Sequence, residues 1–469
     1  MDIGGRNQVF IDGRFLEDAD GVRICVCPPI KTNEKCLVGH LGGYSSLVEP
    51  HEGFRWYTAL TKDGVHWRRV SGFGPPEPDD ILGILFGGTT VFRDPLAPAG
   101  ERYKRIDGMR NQITASSDGS DWKPLHNGVF PSGACYPRGM DSHNVCFYDT
   151  RIGKYVAYVR VNKVYECPPE RVDYFGNVGL HKYGAKNRYA RRTIGRAVTD
   201  DLSKFPMPDV VLEPDERDPI FGGVKVMDFY CPQVLPYPYA DDAYFLFNCR
   251  YRSYEDWYLS EDMSPYPRGN VNGKPGIYNC GVEDIGLAAS RDGIAWQRYD
   301  RKPWIPQGPP GAFDSLNMYM TRGMYLAGDE IWMYYIGIDD PHTGNKQAQN
   351  RYTLSRVVLR KDGFTCVEAD YEGGRFTTPV LRFEGDALRL NIQTSALGLA
   401  RVELQDENGT PLEGFALEDC DRIHTANSTG HRVTWRGKSD VAALAGRPVR
   451  LRFELQYGVK LYAFCFGAG

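Results

Sequence analysis

One short pattern returns five times along the chain and limits what it can fold into. The copies are Thr61-Lys-Asp-Gly-Val-His-Trp67, Ser116-Ser-Asp-Gly-Ser-Asp-Trp122, Thr199-Asp-Asp-Leu-Ser-Lys-Phe205, Ser290-Arg-Asp-Gly-Ile-Ala-Trp296 and Arg360-Lys-Asp-Gly-Phe-Thr-Cys366. Asp-Gly between strand-like runs is a hairpin turn, because glycine takes a positive φ without a side-chain clash. The aromatic residue that follows packs back on the sheet. Ahead of each copy stand an inner strand, a polar turn and an aromatic strand. The pairs are 44–48 with 54–57, 88–92 with 102–106, 143–149 with 154–160, 233–237 with 243–250, and 317–320 with 330–335. A unit of about four short strands cannot bury its own faces and needs neighbours on both sides. Five such units predict an all-β chain with a five-bladed β-propeller over residues 35–370.

Beyond Phe376 the character changes to short alternating strands, such as Leu388-Arg-Leu-Asn-Ile392 and Val449-Arg-Leu-Arg-Phe-Glu-Leu455, separated by turns such as Glu407-Asn-Gly-Thr410. Residues 376–469 read as a C-terminal β-sandwich. Residues 1–34 form an N-terminal strand segment whose partner the sequence leaves open.

The chain of 469 residues exceeds what one core usually serves, which agrees with two domains. A net charge of -4 without a basic run argues against nucleic acid as a partner. No apolar stretch reaches membrane-spanning length, so no membrane is expected. The twelve cysteines are scattered and form no CxxC pair. They read as buried thiols in a reducing compartment, giving a cytoplasmic expectation, no cofactor and no dedicated metal site. His342 beside Asp339 and Asp340 matches no metal-ligand spacing. Oligomeric state stays open. The 29 tyrosines and 8 tryptophans suit a β-rich chain and also a sugar binder.

Propeller geometry sorts the candidate chemistry. Strand 1 starts, strand 2 ends and the loops to strand 3 share one face, where the chain places two long loops, after Arg160 and after Arg250. Strand 1 starts bring Asp141, His143 and Asn144 from the third unit, Asp228 and Tyr230 from the fourth, and Asp314 from the fifth. Strand 2 ends bring Arg160, Arg250 and His342. Glycosidic cleavage needs two carboxyl groups astride the bond, one of them with a raised pKa. The pair is expected among Asp141, Asp228 and Asp314, with Glu166 or Glu283 as rim alternatives. Asp141 is the base or stabiliser and Asp228, beside Phe229 and Tyr230, the acid. His143, Asn144, Arg160, Tyr230, Arg250 and His342 are expected to contact substrate. The basic stretch Lys182 to Arg192, interleaved with Tyr183 and Tyr189, would favour a negatively charged substrate.

The five-unit pattern, the Ser290–Trp296 turn and the ending Arg450-Leu-Arg-Phe453 with Leu461-Tyr-Ala-Phe464 resemble glycoside hydrolase families 32, 43, 62 and 68. The resemblance implies a propeller-plus-sandwich hydrolase acting on furanosides or related sugars. Its motifs are partly missing. The first-unit Asn-Asp-Pro-Asn-Gly nucleophile motif is absent, and the first inner strand, Gly43-Tyr-Ser-Ser-Leu-Val48, carries no carboxylate. Arg93-Asp94-Pro95 is present, but Asp94 aligns with the turn residue Asp149 and is expected to be structural. Glu166-Cys-Pro168 lies in a loop, and Tyr230-Cys-Pro232 has tyrosine where the acid would stand. A glycosidase working on a small glycoside in an axial pocket is therefore the expectation. A non-catalytic carbohydrate-binding propeller and a protein-interaction scaffold are the alternatives.

Overall fold

The computed structural model describes residues 1–467 except 52, 73, 88–89, 135–139, 167–187, 222, 254–280 and 343–351. Among the described residues there is no α-helix; strands and a few 3-10 turns carry the fold. Among the described residues, five sheets of three or more strands succeed one another along the β-propeller. The first joins Ser45–Val48, Leu82–Phe86, Ala59–Thr61 and Trp67–Arg69 in that spatial order. The second, Val91–Arg93 to Lys123–Asn127, and the third, Val145–Asp149 to Asp209–Leu212, are simple meanders. The fourth joins Asp228–Pro236, Tyr244–Ser253 and Gly281–Ser290. The fifth joins Asn317–Met320, Glu330–Ile338 and Tyr352–Arg360, and its outer edge is built from the N-terminal strands Ile30–Lys31 and Leu37–Gly39. Its inner edge meets the first sheet: Leu47 N donates to Arg322 O at 2.7 Å and Arg322 N to Ser45 O at 2.9 Å.

The recurring turn explains how neighbouring sheets lock. The hydroxyl that opens each clean copy accepts from the glycine amide, at 3.0 Å for Thr61–Gly64, 2.9 Å for Ser116–Gly119 and 2.9 Å for Ser290–Gly293. The aspartate accepts from the amides beyond, as Asp292 does from Ile294 and Ala295. The glycines sit at φ +78, +83 and +70. Their bare Cα faces an aromatic ring of the preceding unit: an added Cβ would lie 2.5 Å from Trp332, 2.5 Å from Phe54 and 2.4 Å from the Tyr158 hydroxyl, respectively. Tyr334 and Tyr158 donate to the Gly64 and Gly293 carbonyls, both at 2.7 Å. Glycine is needed there for both φ and space.

The turns between first and second strands, at the same end of the sheets, repeat a second device. Asp94, at the first turn of the second sheet, accepts from Tyr155 of the third at 3.0 Å, and Asp149 accepts from Tyr244 of the fourth at 2.7 Å. Asp94 is thus a structural anchor.

Three features depart from the sequence reading. Phe54–Tyr57 is not the second strand of the first sheet; that place goes to Leu82–Phe86, a continuous apolar run of the kind that suits burial on both faces. Phe54 and Tyr57 instead pack on each other and, through Phe54, on Tyr103 of the second sheet. In the fourth sheet the inner strand starts at Asp228, and a bulge between Tyr230 and Gln233 leaves Cys231 at φ 52. Finally, Thr365–Ala369, inside the range expected for the propeller, belongs to the sandwich.

That sandwich has two sheets. One runs Asn427–Arg432, Ala387–Gln393, Lys460–Gly467, Thr365–Ala369 and Val22–Val26; the other runs Asp18–Asp20, Gly374–Thr377, Arg450–Gln456, Leu399–Gln405 and Ile423–His424. Phe10, Phe15, Phe376, Phe453 and Phe464 form an aromatic core between them. The N-terminal segment therefore serves both domains. The fifth Asp-Gly copy sits at their junction: Asp362 accepts from Tyr237 at 2.7 Å and from Asn391 at 3.0 Å.

Candidate functional site

The strands of the fourth sheet alternate their side chains between two faces. Glu283 stands opposite Tyr251 in the ladder, and Asp284 opposite Arg250. One face therefore carries Glu283 and Tyr251, and the other carries an ion-pair cluster. On that second face Arg250 Nε donates to Asp284 Oδ1 at 2.6 Å, Arg250 Nη1 to the Arg301 carbonyl at 2.6 Å, and Arg252 lies 2.6 Å from Asp284 Oδ2. Arg250, expected to bind substrate, is committed to this structural cluster by a one-residue difference in phase.

The first face meets the axis. Glu283 is 0% exposed. Its amide donates to the Leu316 carbonyl at 3.0 Å, which fixes it against the entry to the fifth sheet. Neither carboxyl oxygen meets full hydrogen-bond geometry among the described residues, but the Tyr319 hydroxyl is near enough to favour its charged form. Burial pushes its carboxyl up to about 8, while the charge of Arg192 pulls the other way. His342, anchored by its amide to the Gly281 carbonyl at 2.9 Å, brings Nε2 to 4.0 Å from Glu283 Oε1. The His342 ring lies 5.1 Å from Tyr251 and 6.2 Å from Tyr230.

Arg192 closes this group. Its amide donates to Asp228 Oδ1 at 3.0 Å and its Nη1 to Oδ2 at 2.6 Å. Its guanidinium lies 5.2 Å from the Tyr230 ring and 5.0 Å from that of Tyr251. Burial disfavours the Arg192 charge, but Asp228 and the tyrosines outweigh it and hold the guanidinium above its ordinary range. Asp228 is thus the anchor of Arg192, not the proton donor that its apolar neighbours suggested. Below, the hydroxyls of Tyr44 and Tyr230 bond across the axis, and Tyr319 packs edge-on against Tyr44 at 5.7 Å. Burial raises all three phenols well above their ordinary range, so they stay protonated.

The remaining expected residues separate into a mouth, a support layer and outliers. Asp141 is exposed at the mouth, and its carbonyl accepts from Arg160 Nη1 at 2.9 Å. Arg160 is buried; burial and then the neighbouring Arg192 lower its pKa. Asn144 is fully engaged: it donates to the Met140 and Ser142 carbonyls and accepts from the Arg160 amide, so it rivets the segment 140–144 instead of reaching a substrate. His143 is 0% exposed beneath Tyr44; Gln233 donates to its Nδ1 at 2.6 Å and its Nε2 meets Thr90 at 3.2 Å. Burial, then Arg322, take it down to about 3, so it is neutral and internal, not a substrate contact. Asp314 turns away from the axis: Lys31 of the outer strand lies 2.5 Å from it and Tyr335 donates to it at 2.7 Å. Glu166 is exposed six residues beyond Arg160 on one strand, roughly 20 Å along it.

Tyr251, Tyr44 and Tyr319 were not singled out for the site from sequence, and Arg192 entered only as the end of the basic stretch. A tyrosine at the matching inner-strand position of three units, Tyr44, Tyr230 and Tyr319, was the available signal. Most of both rim loops, and Lys182 with Tyr183 of the basic stretch, lie outside the described residues. His342 directly precedes one such segment, and 254–280 joins the strands that carry Tyr251 and Glu283. Two cavities lie elsewhere: about 520 Å³ beside Glu17, Arg375, Glu407 and Arg450, and about 340 Å³ beside His51, Arg93, Tyr103 and Met324. Among the described residues no group of three or more His, Cys, Asp or Glu is placed to hold a metal ion.

No family model matches the chain, and no curated protein sequence matches it significantly. Among solved structures it is similar to a thermostable family-43 glycoside hydrolase, at 13% identity over 70% of this chain and 95% of that one, with a TM-score of 0.35. It is similar to an α-L-arabinanase of Penicillium chrysogenum complexed with arabinobiose, at 10% identity over 72% and 98%, with a TM-score of 0.31. It is also similar to β-1,2-mannobiose phosphorylase from Listeria innocua, at 14% identity over 64% and 65%, with a TM-score of 0.35. Likeness at these values carries no activity, substrate or site residue from those proteins to this chain.

Proposed function

We propose that this propeller is a carbohydrate-active enzyme, a glycosidase in which Glu283 protonates the leaving oxygen of a small glycoside. The observation that carries the reading is the Glu283 carboxyl, 0% exposed and 4.0 Å from His342 Nε2; its burial pushes it up to about 8, so it keeps its proton at neutral pH. An acid in that state can give its proton to a glycosidic oxygen, whereas an ordinary carboxylate has already lost it. Its surroundings fit the substrate class. Tyr230, Tyr251 and His342 offer ring faces, and Arg192 and Arg160 offer fixed donors for hydroxyls. Asp141, exposed and with its carbonyl on Arg160, is our candidate for the opposing carboxylate, either activating water or attacking the sugar.

The test is turnover of a panel of aryl glycosides, furanosides included, by the wild type and by Glu283→Gln. Loss of the acid should fall hardest on substrates with poor leaving groups and should be relieved by nitrophenolate leaving groups, which need no proton. Equal losses across leaving groups would remove Glu283 from the acid role. Unchanged sugar binding with no turnover of any glycoside by the wild type would favour the binding-only alternative.

A further inference from the structure

Beneath the tyrosine layer stands a half-buried arginine that no carboxylate among the described residues pairs with. Arg322 follows the inner strand of the fifth sheet, and its backbone is stitched to the first. Its side chain reaches across towards the third sheet, where the guanidinium carbon lies 5.7 Å from the Phe147 ring. Burial lowers its pKa to about 10, with only the Cys146 thiol opposing, so it remains charged at neutral pH. Of the neighbouring arginines, Arg192 is matched by Asp228, and Arg160 donates to the carbonyl of Asp141. No carboxylate among the described residues pairs with Arg322, and its buried Nε has no hydrogen-bond partner there. The hydroxyl of Ser46, also buried, lacks one too. Ser46 and Arg322 are partners in a parallel bridge, so their side chains leave the strands on the same side. Only Nε is sealed from solvent; the side chain as a whole is half-buried, so an anion can reach a guanidinium that cannot lose its proton.

We propose that the propeller axis binds one monovalent inorganic anion of halide size between the Arg322 guanidinium and the Ser46 hydroxyl. A single positive charge and neutral hydroxyl donors match a single negative charge. The neighbouring imidazole cannot add a second cation, because His143 is neutral and both its nitrogens are engaged by Gln233 and Thr90. A divalent oxyanion would leave an excess negative charge. The bound anion would tie the third sheet to the first and fifth from the inside, and it acts independently of the chemistry at Glu283.

Bromide is the direct probe. Crystals of the full chain soaked in bromide should show an anomalous peak in contact with Arg322 and Ser46. In solution, exchanging gluconate for chloride or bromide at fixed ionic strength should raise the melting temperature by roughly 2–4 °C through preferential binding to the folded state. Arg322→Met should abolish that increment, and Arg322→Lys should retain part of it. Wild-type crystals alone keep the proposal testable should the variants not fold. Absence of the axial bromide peak overturns it, as does equal melting in gluconate and halide. A halide increment that survives in Arg322→Met, or a response to sulfate in place of halide, overturns it as well.

Discussion

The outer turns and the axis of this propeller are made by the same strands, yet they obey different rules. At an outer turn each residue has a local duty. A hydroxyl holds the glycine amide, an aspartate holds the next amides, and the glycine leaves room for one ring. The chemistry repeats because the geometry repeats. At the axis four of the sheets contribute side chains to a single shared space, and apart from the tyrosines these contributions differ. Glu283 comes from a third strand, Arg192 from a third strand of another sheet, Tyr44 from just before a first strand, and His342 from beyond a second. The proposed function sits where the repeat is broken, because a proton donor needs an environment that differs from that of its counterparts.

The largest effect expected from breaking that contrast is at the axis. Replacing Glu283 with Gln should lower turnover on glycosides with poor leaving groups by about 10²–10⁴-fold, as loss of a positioned acid does. Steady-state kinetics on a leaving-group series checks it.

Next comes the anchor beneath it. Arg192→Met leaves Asp228 buried without its cation and should destabilise the fold by about 3–5 kcal/mol. Urea unfolding measures this, and the double change with Asp228→Asn should recover much of the loss. Additive losses would mean that the pair does not act as a unit.

At the periphery the effects should be smaller and repetitive. Gly293→Ala places a Cβ 2.4 Å from the Tyr158 hydroxyl at φ +70 and should cost about 1–3 kcal/mol. Ser290→Ala removes only the hydroxyl that accepts from the glycine amide and should cost about 0.5–1.5 kcal/mol. The same two changes at Gly119 and Ser116 should give matching values within each pair. Strongly unequal values would show that the turns are not equivalent devices.

This ordering also shows what could be read from the sequence. The turns were legible because hydroxyl, aspartate, glycine and aromatic act over a few residues. The sheet succession and the sandwich followed from them. The register at the axis was harder. A strand start locates a residue only to within one position, and a shift of one reverses the face. That is why Arg250 was expected at the site while its neighbour Tyr251 stands there. It is also why Glu283 was ranked behind three aspartates, although its face and its burial set it apart. Asp314 depends on Lys31, which the N-terminal strand brings to the outer edge of the fifth sheet, and no local pattern announces that pairing. The first sheet, with Leu82–Phe86 inserted second, likewise follows from packing across sheets and not from order along the chain.

The central claim is that Glu283 carries its proton at neutral pH. Its folded pKa of about 8 lies above the ordinary carboxylate value, so the folded state binds the proton more tightly than the unfolded chain does. The stability it contributes is complete below about pH 4.5 and declines as pH rises through about 8, with a slope approaching about 1.4 kcal/mol per pH unit between them. Glutamine cannot titrate. Measured from pH 4 to pH 9, the unfolding free energy of the wild type minus that of Glu283→Gln should therefore fall steadily through neutrality and level off beyond about pH 8. A difference that stays constant across the range would mean that Glu283 is already ionised at pH 5, and it would contradict the account.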